Sequence, residues 1–274
     1  MPLPSRRWID LTTEDFRALP ADTVAILPTA AIEQHGPHLP VSVDTTINEG
    51  IVGRALALAP PELPVLALPT LCIGKSDEHL HFPGTLAVDD RTLTDQWTHV
   101  GRSVARAGVR RMLILNSHGG QMQLIEVVAR RLRIEAGMFV VAAHWPRLWG
   151  GDPRVSAAEE RHGLHGGQIE TAMMLHLAPH LVRMEKAGNF ESWGVEIDRG
   201  NSILVPEGGV SFGWIAEDLH PSGATGDAAS ATADLGRDIV EVVAARLVTL
   251  VEEVRRLDIA RLDAEWAAGR ERLA

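Results

Sequence analysis

Apolar residues recur along the first half of this chain in short runs that alternate with longer amphipathic stretches. Residues 23–28, Thr-Val-Ala-Ile-Leu-Pro, form a run with β-branched side chains closed by proline, which predicts a buried strand. Similar runs at 65–68, 112–115 and 139–143 predict three more. Between them the apolar positions shift to helical spacing. Residues 46–58 place Ile47, Ile51, Ala55 and Leu58 on one face, with Asp44 or Thr45 available as the cap and Pro60-Pro61 as the stop. Residues 91–107 end at Gly108, and residues 121–136 end at Gly137, the residue type on which helices commonly terminate. A further helix is predicted over 166–177, stopped by Pro179, and a long one from Thr225 to about residue 257, followed by a charged helical tail to Ala274. Residues 180–222 show no period, and Gly208-Gly209 suggests a turn between two short strands. Strands alternating with helices predict an α/β fold: three αβα layers around a mainly parallel central sheet, in one domain over 1–274.

Composition narrows the partners. The chain is 45% hydrophobic over 274 residues, enough for a sizeable core. Its formal net charge of -10, with no Lys/Arg-rich run, argues against nucleic acid. The single cysteine, Cys72, excludes an internal disulfide and a cysteine-based metal site, and fits a reducing compartment. No apolar run is long enough to cross a bilayer and no signal peptide is visible, so a cytoplasmic location is expected. Trp8, Trp145, Trp149, Trp193 and Trp214 look exposed, as if lining an interface or a pocket.

The polar residues concentrate in the loops that follow predicted strands, where ligands bind in parallel sheets. Glu33-Gln34-His35-Gly36-Pro37-His38-Leu39-Pro40 follows the first strand. In an extended segment Glu33 and His35 face the same side, and Asp44 can return to that point after the Gly36-Pro37 turn. Carboxylate and imidazole are donors that zinc and its neighbours accept; a polar surface loop is the plainer alternative. The long loop over residues 69–90 carries Glu78, His79 and His81, and loops of that length are commonly functional. His118 sits in Asn116-Ser117-His118-Gly119-Gly120, which reads as a ligand loop or a simple strand-to-helix turn. His165 and Glu170 are too far apart to share a helical face, so they can meet only if His165 precedes the helix. Glu170 also suits a helix N-terminus through the dipole alone.

These pieces occur in one order: Glu33 to Pro40 with Asp44, Glu78-His79 with Phe82-Pro83-Gly84-Thr85, the His118 loop, and His165-Gly166-Gly167 with Glu170-Thr171. A late Gly223-Ala224-Thr225-Gly226-Asp227 segment follows. In this the chain resembles the creatininase (creatinine amidohydrolase) family over roughly residues 8–250. The resemblance implies a creatininase-like fold and a dinuclear metal hydrolase of a non-peptide or small-peptide C–N bond. Asp44 would bridge two divalent ions, most readily zinc, with manganese or iron as alternatives. Glu33 and His118 would complete one ion's ligands and His35 the other's. Where creatininase itself carries a Glu, this chain has Gly120, which cannot ligate, and Glu170 takes over. The Trp-Asp pair of creatininase is replaced by Arg161-His162, so the metal site is implied rather than creatinine as substrate.

Two metals would supply hydroxide near neutral pH to attack an amide carbonyl. His165 is the expected acid for the leaving nitrogen, with Glu78 and His79 as further catalytic candidates. His38 is expected to orient a ligand, His81 to be structural or at the rim, and His99, His176, His180 and His220 to be ordinary histidines. The resemblance further implies a small-molecule amide substrate and a homo-oligomer, a hexamer. The main alternative is a non-catalytic metal-stabilised binding module. Anion binding by Gly119-Gly120 at a helix start ranks lower, because no phosphate-loop pattern accompanies it.

Overall fold

In a computed structural model that describes residues 2–273, the four apolar runs form one parallel sheet. β1 (Val24–Thr29), β2 (Val65–Ala67), β3 (Arg111–Asn116) and β4 (Phe139–His144) lie in the order β2-β1-β3-β4. Val24 stands opposite Val65 and Arg111, and Asn116 stands opposite both Thr29 and His144. Strand side chains alternate between two cores. Val24, Ile26, Leu113 and Leu115 enter one, while Ala25, Leu27, Met112 and Ile114 enter the other. Burial on both faces is why these strands read as continuous apolar runs rather than alternating ones.

The helices, in chain order, are α1 (Thr13–Arg17), α2 (Val43–Leu58), α3 (Asp90–Arg106), α4 (Met122–Ala136), α5 (Ala157–His162), α6 (Gln168–Leu177), α7 (Gly194–Gly200), α8 (Ala216–Leu219), α9 (Ala233–Arg256) and α10 (Ala260–Leu273). α2, α6 and α9 cover the first core through residues such as Ile47, Met173 and Leu247. α3 and α4 cover the second through Leu93, Trp97 and Leu132. The expected three-layer αβα arrangement is therefore present. The connection leaving β1 runs to β2 on one side, and the one leaving β3 runs to β4 on the other. The crevice beyond the carboxyl ends of β1 and β3 is the place where such sheets bind ligands.

Several expectations need correcting. α2 begins at Val43 with Ser42 as its cap residue, so Asp44 lies inside the first turn and neither it nor Thr45 caps the helix. The predicted helix start at Thr225 fails because Gly226 has φ +114, outside any helix. Gly226–Asp227 instead forms β6, antiparallel to β5 (Asn189–Phe190), and α9 waits for Thr232, whose hydroxyl accepts the Leu235 N–H at 3.3 Å. Gly208-Gly209 joins no pair of strands; one bridge, Val205 to Ser211, closes that loop. α5 lies in a stretch read only as polar. Trp145 and Trp149 are buried rather than exposed, at 3% and 8%, whereas Trp193 is 46% exposed. Among the described residues no helix is long and apolar enough to cross a membrane.

Candidate metal centre

Backbone packing delivers the polar side chains before any of them meets a partner. Glu33 and His35 leave the extended segment after β1 on one side, and Gly36, at φ +71, turns the chain away. Asp44 is fixed through its own turn: Ser117 Oγ donates to its carbonyl at 2.9 Å. One turn on, buried Asn48 donates to the carbonyls of Thr29 and Leu115, both at 2.9 Å, stitching α2 to the ends of β1 and β3. His118 follows β3. A short 3-10 turn, Asp77–His79, brings Glu78 and His79 from the long loop. Glu170 stands in the first turn of α6, and His165 precedes that helix, as their spacing requires.

Glu33, His35, Asp44 and His118 are all within 3% of full burial. The donor atoms of Glu33, His35 and Asp44 lie within 4.8 Å of one another, as do those of His35, His165 and Glu170, and those of Glu33, His79 and His165. His118 Nδ1 is 3.1 Å from Glu33 Oε1 and 3.7 Å from Asp44 Oδ2. His35 Nε2 is 3.8 Å from Asp44 Oδ1 and 3.7 Å from Glu170 Oε2. All five expected ligands therefore gather at one point, and His79 and His165 reach the same point. Glu78 does not: its Oε1 is 3.5 Å from His118 Nε2, on the ring edge turned away from Glu33, and its Oε2 pairs with Lys75 Nζ at 3.1 Å. A Cβ at Gly120 would fall 1.7 Å from Glu78 Oε1, so the missing side chain there makes room for Glu78.

Hydrogen bonds assign the ring protons. His35 Nδ1 donates to Glu33 O at 3.0 Å, His118 Nε2 to Lys75 O at 2.7 Å and His165 Nε2 to Gln34 O at 2.5 Å. Each turns its other nitrogen to the centre, as ligating histidines do. Gln34 Oε1 accepts the Gly36 N–H at 2.8 Å, so its amide nitrogen donates to His79 Nδ1, also at 2.8 Å. His79 therefore carries its proton on Nε2, which faces Glu33 Oε1 at 3.7 Å. His38 departs from expectation: its Nε2 bonds Thr171 Oγ1 at 2.9 Å, holding α6 rather than a ligand. His81 is exposed and pairs with Glu217 at 2.8 Å.

The fit to cations rests on three buried atoms without a hydrogen-bond partner, Glu33 Oε2, His35 Nε2 and Asp44 Oδ2. Leaving such groups empty is costly, and two carboxylates with an imidazole form a donor set that divalent ions accept. Electrostatics agree. Burial pushes Glu33 up, but His118, His79 and His165 outweigh it and hold it well below the usual range. Asp44 is pushed well above its usual range by burial and by Glu33 and Glu170. Burial lowers His35 and His165 to about 4 each, leaving them neutral. His118 resists burial through Glu33 and Glu78 and is raised to about 9.

A pH dependence follows. Below about 9 the metal-free protein keeps a proton on His118. Ligation through its Nδ1 requires that proton to leave, and Asp44 must likewise be ionised. Metal uptake near pH 7 is therefore expected to release about one to two protons per chain, with affinity rising as pH rises and levelling once His118 is neutral. Calorimetric titration in buffers of differing ionisation enthalpy measures this, and uptake without proton release would contradict it.

Reasoning from sequence missed Gln34, Asn48, Ser117 and Glu159 as supports. Glu159 is buried, and its carboxylate accepts the Gln168 N–H at 2.6 Å and the Asp227 N–H at 2.8 Å. It thereby ties the start of α6 to β6. Glycines at 163, 167 and 226 crowd it so closely that any Cβ there would come within 2.6 Å of its Oε1. The only sequence signal was that cluster of glycines. A cavity of about 790 Å³ opens beside the centre, reaching Ser117, Gly119 and Glu170. Glu170 lines this cavity with its side chain 17% accessible, so the cluster is reached from that side.

The sequence profile of the creatininase family, described as creatinine amidohydrolase, matches residues 9–251. The chain belongs to the creatininase family. A mycofactocin precursor peptide peptidase of Mycobacterium tuberculosis is 32% identical over 222 residues, covering 78% of each chain. A creatinine amidohydrolase of Pseudomonas putida is 32% identical over 197 residues, covering 65% of this chain and 74% of that one. A crystal structure of creatininase superposes with a TM-score of 0.70 at 26% identity, covering 93% of this chain and 99% of that one. A manganese form of creatininase gives 0.69 at 25% identity, covering 92% and 100%, and another related structure is described as Zn-Zn type. The creatininase-like fold is thus shared along nearly the whole chain.

Proposed function

We propose that this chain is a dinuclear metal-dependent amidohydrolase that cleaves a C–N bond of an amide. The observation that carries the reading is that Glu33, His35 and Asp44 bring donor atoms within 4.8 Å of one another while each keeps a buried polar atom without a partner. Asp44 lies between the two donor sets, within reach of both His118 and His35, which suits a bridging carboxylate. Glu33 and His118 would hold one ion, and His35 with Glu170 the other. Zinc suits this set, as do manganese and iron. When bound, such a pair supplies Lewis acidity and lowers the pKa of water toward neutrality.

The rest is done by side chains. His165, neutral and with its lone pair on Nδ1, is placed to take a proton from the attacking water and return it to the departing nitrogen. His79 presents Nε2–H to the same space, suited to holding Glu33 or the substrate oxygen. Glu78, behind His118, steadies that ring. His165→Ala is expected to keep metal and to slow hydrolysis most for substrates with basic leaving amines. Steady-state rates across leaving groups measure this, and a flat response would remove His165 from proton transfer.

Elemental analysis of protein purified without added metal, followed by a panel of amides, lactams, formamides and short peptides, tests the whole reading. About two ions per chain with turnover of any amide supports it. Bound metal with no turnover on the panel favours the non-catalytic binding module. The same proposal places the chain as a single domain in the cytoplasm, where a lone cysteine stays reduced, and as a homo-oligomer, for which sedimentation analysis is the measure.

A further inference from the structure

The cavity beside the centre holds about 790 Å³, toward the upper end of the roughly 300–1,000 Å³ that encloses drug-sized ligands. A single small cyclic amide would leave most of that space to water. Its inner end is Glu170; its outer wall comes from residues 144–151, 160–164 and 205–208. Two guanidinium groups line it. Arg161 is already engaged, with its Nη2 2.9 Å from Asp198 Oδ1, and His162 Nε2 lies 3.1 Å from the other oxygen of that carboxylate. Arg147 is different. It stands exposed in the 3-10 turn Trp145–Leu148 directly after β4, and no carboxylate among the described residues comes within 4.0 Å of it. Glu207, on the same wall, stays beyond that distance.

The geometry points to a substrate of peptide size that carries a free carboxylate, received by Arg147 while the scissile amide lies at the Glu170 end. This rests on the amidohydrolase reading and names its substrate class. A guanidinium fork matches a carboxylate with two parallel hydrogen bonds. The choice of carboxylate over phosphate comes from the rest of the wall. Arg161 neutralises Asp198, but Glu160 and Glu207 add negative charge, which opposes a phosphate dianion about twice as strongly as a carboxylate monoanion held by one guanidinium. Trp145, Trp149 and Ile169 give the stretch between the two ends an apolar side. Arg147 acts in recognition and takes no part in bond cleavage.

The test uses short N-acetylated alanine peptides, each made as the C-terminal acid and as the C-terminal amide, with wild-type enzyme and Arg147→Ala. The wild type is expected to show a lower KM for acids. Arg147→Ala is expected to raise KM for the acids about 10- to 100-fold, to leave the amides, kcat and metal content unchanged, and so to erase the preference. Equal KM for acid and amide in the wild type, or an unaltered preference in the variant, overturns the assignment. If no peptide is cleaved, binding to the metal-free wild type, read by tryptophan fluorescence, separates the two claims. Tighter binding of acids that Arg147→Ala abolishes keeps the carboxylate site and, together with no turnover across the amide panel, sinks the hydrolase reading. Binding without that difference, or no binding, sinks the site. Tighter binding of a peptide ending in a phosphomonoester would replace carboxylate by phosphate.

Discussion

Asp44→Ala is expected to strip both ions and to lower kcat/KM by more than about 10³-fold, a loss of over about 4 kcal/mol in transition-state stabilisation. Asp44 stands within 4 Å of a histidine from each donor set, so its removal leaves neither complete. The effect on the fold should run the other way. In the metal-free protein Asp44 is a buried acid whose pKa is raised by burial and by Glu33 and Glu170. A raised acid pKa means that stability is lost as pH climbs from the unfolded value toward the folded one, so at neutral pH this carboxyl is a liability. Metal-free Asp44→Ala should therefore melt no lower than the metal-free wild type, and only the stabilisation added by metal should vanish. Metal analysis and paired melting curves check both halves. A variant that retains two ions per chain would exclude bridging, and one that melts far lower without metal would assign Asp44 a structural task.

Gly236→Ala is expected to give the largest loss of stability from a single methyl group. α6 and α9 cross so closely that a Cβ at Gly236 would sit 1.8 Å from Ala172 O, 2.3 Å from its carbonyl carbon and 2.7 Å from Met173 N. All three are helix backbone, which cannot swing aside, so the helices must separate. Overpacking of this kind costs about 1–3 kcal/mol and at times more, which in a chain of this size lowers Tm by about 2–4 °C per kcal/mol. Separation also moves Glu170, two residues before Ala172, so metal should bind more weakly. Thermal melts and metal titration of the variant read both effects. Wild-type values in both would mean that the helices do not pack at this distance.

Much of the architecture was legible because each layer leaves a periodic trace. Continuous apolar runs gave the four strands, and helical spacing gave α2, α3, α4 and α6. The expected ligands were legible for another reason: carboxylates and imidazoles crowded into loops after strands have few other reasons to be there. The supports were not. Gln34, Asn48, Ser117 and Glu159 are polar residues of ordinary type whose work depends on partners up to 189 residues away, as for Gln34 and Gly223. Asp44 was read as a cap for a helix starting at residue 46 because Ser42, the residue at the true start of α2, makes no side-chain capping bond. Residues 180–222 fold as short pieces paired with distant segments, which no local period can reveal. Trp145 and Trp149 looked exposed because a tryptophan after a strand reads the same in sequence whether it is buried or not; they are buried, yet they line the cavity.

The expected metal ligands and the outer wall of the cleft come from different stretches of chain. Glu33, His35, Asp44 and His118 are braced by β1, β3 and α2, whereas Arg147 and the residues near Glu207 lie on connections beyond the ends of those elements. On the proposed reading, selection can rewrite what is admitted without disturbing the residues assigned to the cutting, and one apparatus can pass from one metabolite to another through changes in two loops.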